Sequence, residues 1–215
     1  MNSNLTELVF ILDKSGSMAG LEADTVGGFN AMIKKQKKQA GQAYVSTVLF
    51  NGESRVLHDR LPLSDVPKMT DRDYTPEGCT ALLDAVGSAI RHIGNIHKYA
   101  RQSDVPARTL FIITTDGMEN ASRRYTAQRV KEMIRRQKEK YGWEFLFVGA
   151  NMDAVETAAR YGIGRDRAVN YHADSRGTRV VYHALEQAVS RVRASMPLQC
   201  WSDQIDADYQ SRGKK

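Results

Sequence analysis

Two short runs, Leu8-Val9-Phe10-Ile11-Leu12 and Thr109-Leu110-Phe111-Ile112-Ile113-Thr114, are continuous rather than alternating, and each ends within two residues at an aspartate beside small residues. A strand with one wet face alternates apolar and polar positions. A continuous run of this length suits a strand buried on both faces, as in a parallel sheet covered by helices. Between and after these runs the spacing predicts helices over 21–38, 81–99, 127–140, 154–161 and 178–194, with further strands at 44–50, 54–58, 144–148 and 168–169. Asn51-Gly52 reads as a tight hairpin turn, which makes one edge strand antiparallel to the rest. The expected fold is α/β: a Rossmann-like, doubly wound, mostly parallel sheet of about six strands with helices on both faces.

With 215 residues, 41% hydrophobic and 26% charged, the chain fits one globular domain, expected over 1–196. Residues 61–79 read as a connecting loop with one helical turn. Pro197 ends the last predicted helix, and 197–215 is expected to be a loosely held tail on which Trp201 docks. Cys79 and Cys200 are too few for a disulfide scaffold or a four-cysteine zinc site. The opening segment lacks a basic stretch before its apolar run, and no run approaches the roughly 20 apolar residues of a membrane span. The expectation is a cytoplasmic protein with reduced thiols.

In open α/β sheets ligands bind beyond the carboxyl ends of strands, where crossovers diverge to opposite faces. Asp13-Lys14-Ser15-Gly16-Ser17 lies there, and a tight turn at Gly16 aims one carboxylate and two hydroxyls at one point. Asp116 brings a second carboxylate to the same sheet edge, and Thr80 a further hydroxyl. This hard-oxygen set suits a small divalent cation such as Mg²⁺ and disfavours zinc. Two carboxylates neutralise such an ion and leave it open to one more anionic oxygen, carried by a partner. The competing reading is structural: Ser17 or Asp24 caps the first helix and Thr80 the second.

The pattern Asp13-x-Ser15-x-Ser17, then Thr80, then Asp116, resembles the metal-ion-dependent adhesion site (MIDAS) of von Willebrand factor type A domains, over about residues 6–195. The resemblance implies that these five residues hold Mg²⁺ or Mn²⁺, some directly and some through water, in a Rossmann-like fold with one antiparallel edge strand. It implies a non-enzymatic protein-interaction module whose partner offers an Asp or Glu carboxylate to the metal. Ser15-Gly16-Ser17-Met18 and the run 114–122 look more like bacterial stand-alone members, which often act inside cells as assembly or regulatory factors.

Two other classes fit the sequence less well. A metal-dependent phosphoryl-transfer or hydrolytic enzyme lacks a phosphate loop, a dinucleotide fingerprint and a second carboxylate at position 15. A nucleic-acid module draws on the net charge of +6, but no aromatic-interleaved basic motif accompanies it. The basic stretches at 34–38 and 129–140 read as solvated helix faces. Asp84 is expected either to hold a metal-bound water or to favour its helix N-terminus. Glu119 is expected as a solvated loop residue in preference to an outer-shell group of the ion, and Lys14 as pointing to solvent or attracting an acidic ligand. The five histidines are read as surface or packing residues.

Overall fold

The computed structural model describes residues 1–213. Its elements are β1 (Asn2–Asp13), α1 (Glu22–Gln36), β2 (Gln42–Phe50), β3 (Ser54–Pro62), α2 (Leu82–Tyr99), β4 (Pro106–Thr115), α3 (Ala127–Tyr141), β5 (Glu144–Gly149), α4 (Ala154–Arg160), β6 (Ala168–Asn170), α5 (Ser175–Arg193) and α6 (Asp203–Ser211). The strands form one sheet in the order β3-β2-β1-β4-β5-β6. All neighbours are parallel except β2 and β3. The expected mostly parallel sheet with one antiparallel edge is therefore present.

The apolar strand runs divide residue by residue between two cores. Leu8, Phe10 and Leu12 point with Leu110 and Ile112 toward Phe29 and Met32 of α1 and Leu185 and Val189 of α5. Val9, Ile11, Phe111 and Ile113 point the other way, onto Leu82, Val86 and Ile90 of α2 and Val130 and Ile134 of α3. Each fully buried Leu, Ile or Phe contributes about 1.5–3 kcal/mol over an exposed one. Both faces must be covered, and the crossovers through α1 and α2 lie on opposite sides. The chain thus changes direction between β1 and β4, opening a crevice at their carboxyl ends.

Two expectations change, while the hairpin at Asn51-Gly52 is present, with a three-residue loop between Phe50 and Ser54, which pair. Its Asn51 side chain closes the turn by accepting from the Glu53 N–H at 3.0 Å. Strand β3 continues through Leu61-Pro62, which the sequence assigned to a loop; an edge strand tolerates proline, and the register shifts near Arg60, where φ is +50°. The tail is not loosely held over its described length. Leu198, Trp201 and Ile205 are buried in the α1/α5 core, Trp201 Nε1 donates to the Asp166 carbonyl at 2.9 Å, and α6 packs on α5. Residues 214 and 215 lie outside the described residues. Among the described residues no helix is long and apolar enough to cross a membrane.

Helix α1 carries adjacent glycines with opposite surroundings. A Cβ on Gly27 would meet nothing within 4 Å, whereas one on Gly28 would fall 2.4 Å from Cδ2 and 3.0 Å from Cβ of Tyr182 on α5. Gly27→Ala should therefore stabilise the protein by up to about 1 kcal/mol, and Gly28→Ala should destabilise it by about 1–3 kcal/mol through overpacking. Urea denaturation of the two variants checks the opposite signs.

Candidate metal centre

Strand β1 delivers Asp13 to the crevice and β4 delivers Thr115 and, one residue on, Asp116. Both aspartates are 1% exposed. Asp13 Oδ1 accepts the Ser15 N–H at 2.7 Å, and its Oδ2 accepts the Thr115 hydroxyl at 2.5 Å. The Tyr74 hydroxyl donates to the Asp13 carbonyl. Beyond Asp13 the chain makes a 3-10 turn over Gly16–Met18, tied to the loop ahead of Thr80 by the Gly16 N–H donating to the Gly78 carbonyl at 3.0 Å. Ser17 then donates to Asp116 Oδ1 at 2.6 Å, and the Ser15 and Ser17 hydroxyls lie 3.2 Å apart.

Gly117 marks where the hydroxyls converge. A Cβ there would lie 3.0 Å from Thr80 Oγ1, 3.2 Å from Ser17 Oγ and 3.7 Å from Ser15 Oγ. The structure thus gathers Ser15, Ser17 and Thr80 around one point, with Asp116 bonded to Ser17 and Asp13 holding the turn that carries Ser15. Ser17 is exposed, so the crevice opens to the outside. Asp116 Oδ2 is buried without a hydrogen-bond partner. An unpaired buried carboxylate oxygen beside a second carboxylate is unfavourable unless a cation offsets it. Among the described residues no group of three or more His, Cys, Asp or Glu could hold a metal. This donor set instead combines two carboxylates with three hydroxyls, and it fits a hard cation that keeps some of its waters.

The capping alternative is not realised. Helix α1 begins after Leu21 and α2 after Ala81, and neither has a side-chain cap at that position. The amides of the first turn of α2 are served from across the crevice: Leu83 N–H donates to Glu119 Oε2 at 2.8 Å, and Asp84 N–H to Ser122 Oγ at 3.0 Å. Glu119 is therefore a structural brace, not a solvated loop residue; its Oε1 also accepts the Ala121 and Ser122 N–H groups. Asp84 neither faces the site nor merely favours a helix end. It accepts the amides of Arg123, Arg124 and Tyr125 at 2.8–2.9 Å, clamping the same loop. Asn120 Oδ1 accepts the Thr80 N–H at 2.9 Å, which fixes Thr80 beside Gly117. Lys14 is largely covered and approaches Glu77 at 3.7 Å instead of pointing to solvent.

Sequence reasoning missed Thr115, Tyr74, Asn120 and Ser122 as supporting groups. Thr115 carried a usable signal, since it stands next to Asp116 at the same strand end. Tyr74 carried none, because it lies in an irregular loop far along the chain. The histidines behave as expected: His58, for one, is buried, stacks on Phe29 and pairs with Thr47 Oγ1 at 2.9 Å.

Burial first, and then the Asp13 carboxylate, push Asp116 up to about 6, against the lowering hydrogen bond from Ser17. Burial also raises Asp13, outweighing the hydrogen bonds from Thr115 and Ser15. An unfolded aspartate titrates near about 3.9, so between about 4 and 6 the folded, metal-free protein holds the extra proton. The stability contributed by this proton is full below that window and falls by about 1.4 kcal/mol per pH unit within it. Thermal melts in EDTA should show this decline between about pH 4 and 6. Asp116→Asn should flatten it and raise metal-free stability at pH 7 by about 1–3 kcal/mol. Burial raises Asp84 too, but its three amide bonds and Arg124 outweigh that and hold it below the usual range. Asp84→Ala should cost about 1–3 kcal/mol at neutral pH in the same melts.

The sequence matches no family model and no curated protein. Solved structures do match. The mussel byssus proximal thread matrix protein 1, in a structure with a zinc-occupied MIDAS motif, is 14% identical with a TM-score of 0.61, over 88% of this chain and 47% of its own. A von Willebrand factor type A protein from Catenulispora acidiphila is 15% identical with a TM-score of 0.57, over 86% and 42%. BatB from Bacteroides thetaiotaomicron is 17% identical with a TM-score of 0.54, over 88% and 99%. The chain spans less than half the length of the first two and nearly all of BatB. What these likenesses establish is the fold, which is that of von Willebrand factor type A domains.

Proposed function

We propose that this chain is a metal-dependent protein-interaction module in which Asp13, Ser15, Ser17, Thr80 and Asp116 hold a divalent cation, Mg²⁺ or Mn²⁺. Once bound, the ion supplies a positive point that attracts an Asp or Glu carboxylate from a partner. The observation that carries the reading is the convergence of three hydroxyls beside Asp116, whose Oδ2 is buried and unpartnered. The mussel protein's zinc-occupied MIDAS on the same fold supports a cation at this place.

The chain's own residues have separable tasks in this reading. Asp13 and Asp116 supply the negative charge. Thr115 and the Ser15 amide orient Asp13, while Glu119, Ser122 and Asp84 hold the 117–125 loop against α2 so that Thr80 keeps its place. Exposed Ser17 leaves the outer side of the crevice accessible to a partner. The role is binding rather than turnover. A reducing, cytoplasmic setting belongs to the same reading, with the Cys79 and Cys200 thiols free and exposed.

Calorimetric titration with Mg²⁺ and Mn²⁺ tests the site directly. Wild type should bind one ion; Asp13→Ala and Asp116→Ala should abolish binding, and Thr115→Val should weaken it by about tenfold or more through loss of orientation. Affinity capture in Mg²⁺ and in EDTA tests the module. A partner held by wild type only in Mg²⁺, and lost in Asp13→Ala, is the expected result. A partner held equally in EDTA would sink the adhesion reading.

A further inference from the structure

At the opposite edge of the sheet, by the amino-terminal ends of β4 and β5, a cleft of about 590 Å³ runs between α2 and α3. Ile90, Met133 and Trp143 give it an apolar floor, with the phenols of Tyr125 and Tyr141 beside them. Trp143 is fixed from below, stacked on Phe111 at 5.2 Å and met edge-on by His97 at 5.4 Å. Two glycines one heptad apart on α2 shape the wall. At Gly87 the missing Cβ is taken up by the Tyr125 ring, whose atoms come within 2.5 Å of where that Cβ would sit. At Gly94 a Cβ would sit in ordinary contact with Gln137 Nε2 at 3.5 Å and Trp143 at 3.9 Å, so a larger side chain there projects into the cleft wall.

The lining is one-sided in charge. Arg91, Lys98, Arg129 and Arg136 all border the cleft, and among the described residues no Asp or Glu does. Arg129 reaches Glu132 at 3.4 Å in an exposed pair, while Arg91, Lys98 and Arg136 form no ion pair among the described residues. A shallower hollow shares Arg91, Tyr125 and Arg129 and adds Arg124, which lies 4.0 Å from Asp84. Flat apolar surface beneath unneutralised guanidinium groups favours a ligand with a planar body and a negative head. We propose that this cleft binds a planar organic anion, an aromatic ring or base bearing a phosphate or a carboxylate. It lies at the far sheet edge from Asp13 and Asp116 and works without them.

Fluorescence titration of the full chain with 8-anilinonaphthalene-1-sulfonate, an anion on a flat naphthalene ring, tests this against the neutral N-phenyl-1-naphthylamine. The anion should bind at one site at least about tenfold more tightly than the neutral dye. Gly94→Leu adds bulk to the cleft wall beside Gln137 and Trp143, at a position where a larger residue also favours the helix. This variant and the Arg91→Ala/Arg136→Ala pair should each weaken binding about tenfold or more, with melting curves confirming the fold, and Asp13→Ala should leave it unchanged. Displacement by adenosine monophosphate or by indole-3-acetate supports the proposal and assigns the head group. Equal binding of both dyes, binding untouched by both cleft variants, or displacement by neither small anion overturns it. Displacement by oligothymidylate alone overturns it in favour of a single-strand groove.

Discussion

Two carboxylates, Asp13 and Asp116, are brought together almost fully out of water at the ends of adjacent parallel strands, and the surroundings are organised around that constraint. Burial disfavours each charge, and each charge disfavours the other. The compensations visible in the protein are partial: one amide and one hydroxyl for Asp13, one hydroxyl for Asp116, and none for Asp116 Oδ2. Such a site opposes folding and must be held by the two cores on either side of the sheet. That is the signature expected of a site kept for binding, where local strain is tolerated because the rest of the fold over-determines it.

The support for the site is non-local, which sets what the amino-acid sequence made legible. The buried strands could be read because a strand covered on both faces has no alternation, and they place Asp13 and Asp116 at one sheet edge. The Asp-x-Ser-x-Ser spacing could be read because it lies in one turn. The capping reading of Thr80 failed for a physical reason. The first-turn amides of α2 accept service from Glu119 and Ser122, more than thirty residues away, and no local pattern announces such a bond. Helix α6 was missed because its composition is polar and its anchoring rests on Leu198, Trp201 and Ile205, too few and too irregular to show a period. The hairpin could be read because Asn-Gly marks a turn; the Asn51 side chain closes it and the β2–β3 register sets its length.

The two edges of the sheet present opposite chemistry. At the carboxyl ends hydroxyl and carboxylate oxygens gather around buried negative charge. At the amino ends the α2–α3 cleft is bordered by guanidinium and ammonium groups over aromatic floor. The net charge of +6 is therefore not an even coat; part of it is concentrated where no carboxylate of the lining offsets it. Basic residues that look like an ordinary solvated helix face in sequence gain meaning when the fold lays α3 beside α2 and they border the cleft between the two helices.

Asp84 and Asp116 show how the same side chain is driven in opposite directions within one crevice wall. Asp84 accepts three amide hydrogen bonds, so its charged form is favoured on folding; that contribution is present above the unfolded carboxylate range and disappears as pH falls through the lowered folded value. Asp116 accepts one hydroxyl and faces Asp13, so its neutral form is favoured and the contribution disappears as pH rises. The first residue builds the wall and the second is left in want of positive charge. A side chain that served both ends would need to be satisfied and unsatisfied at once, which is why the loop from Gly117 to Tyr125 is fastened by Asp84 and Glu119 rather than by the carboxylates at the strand ends.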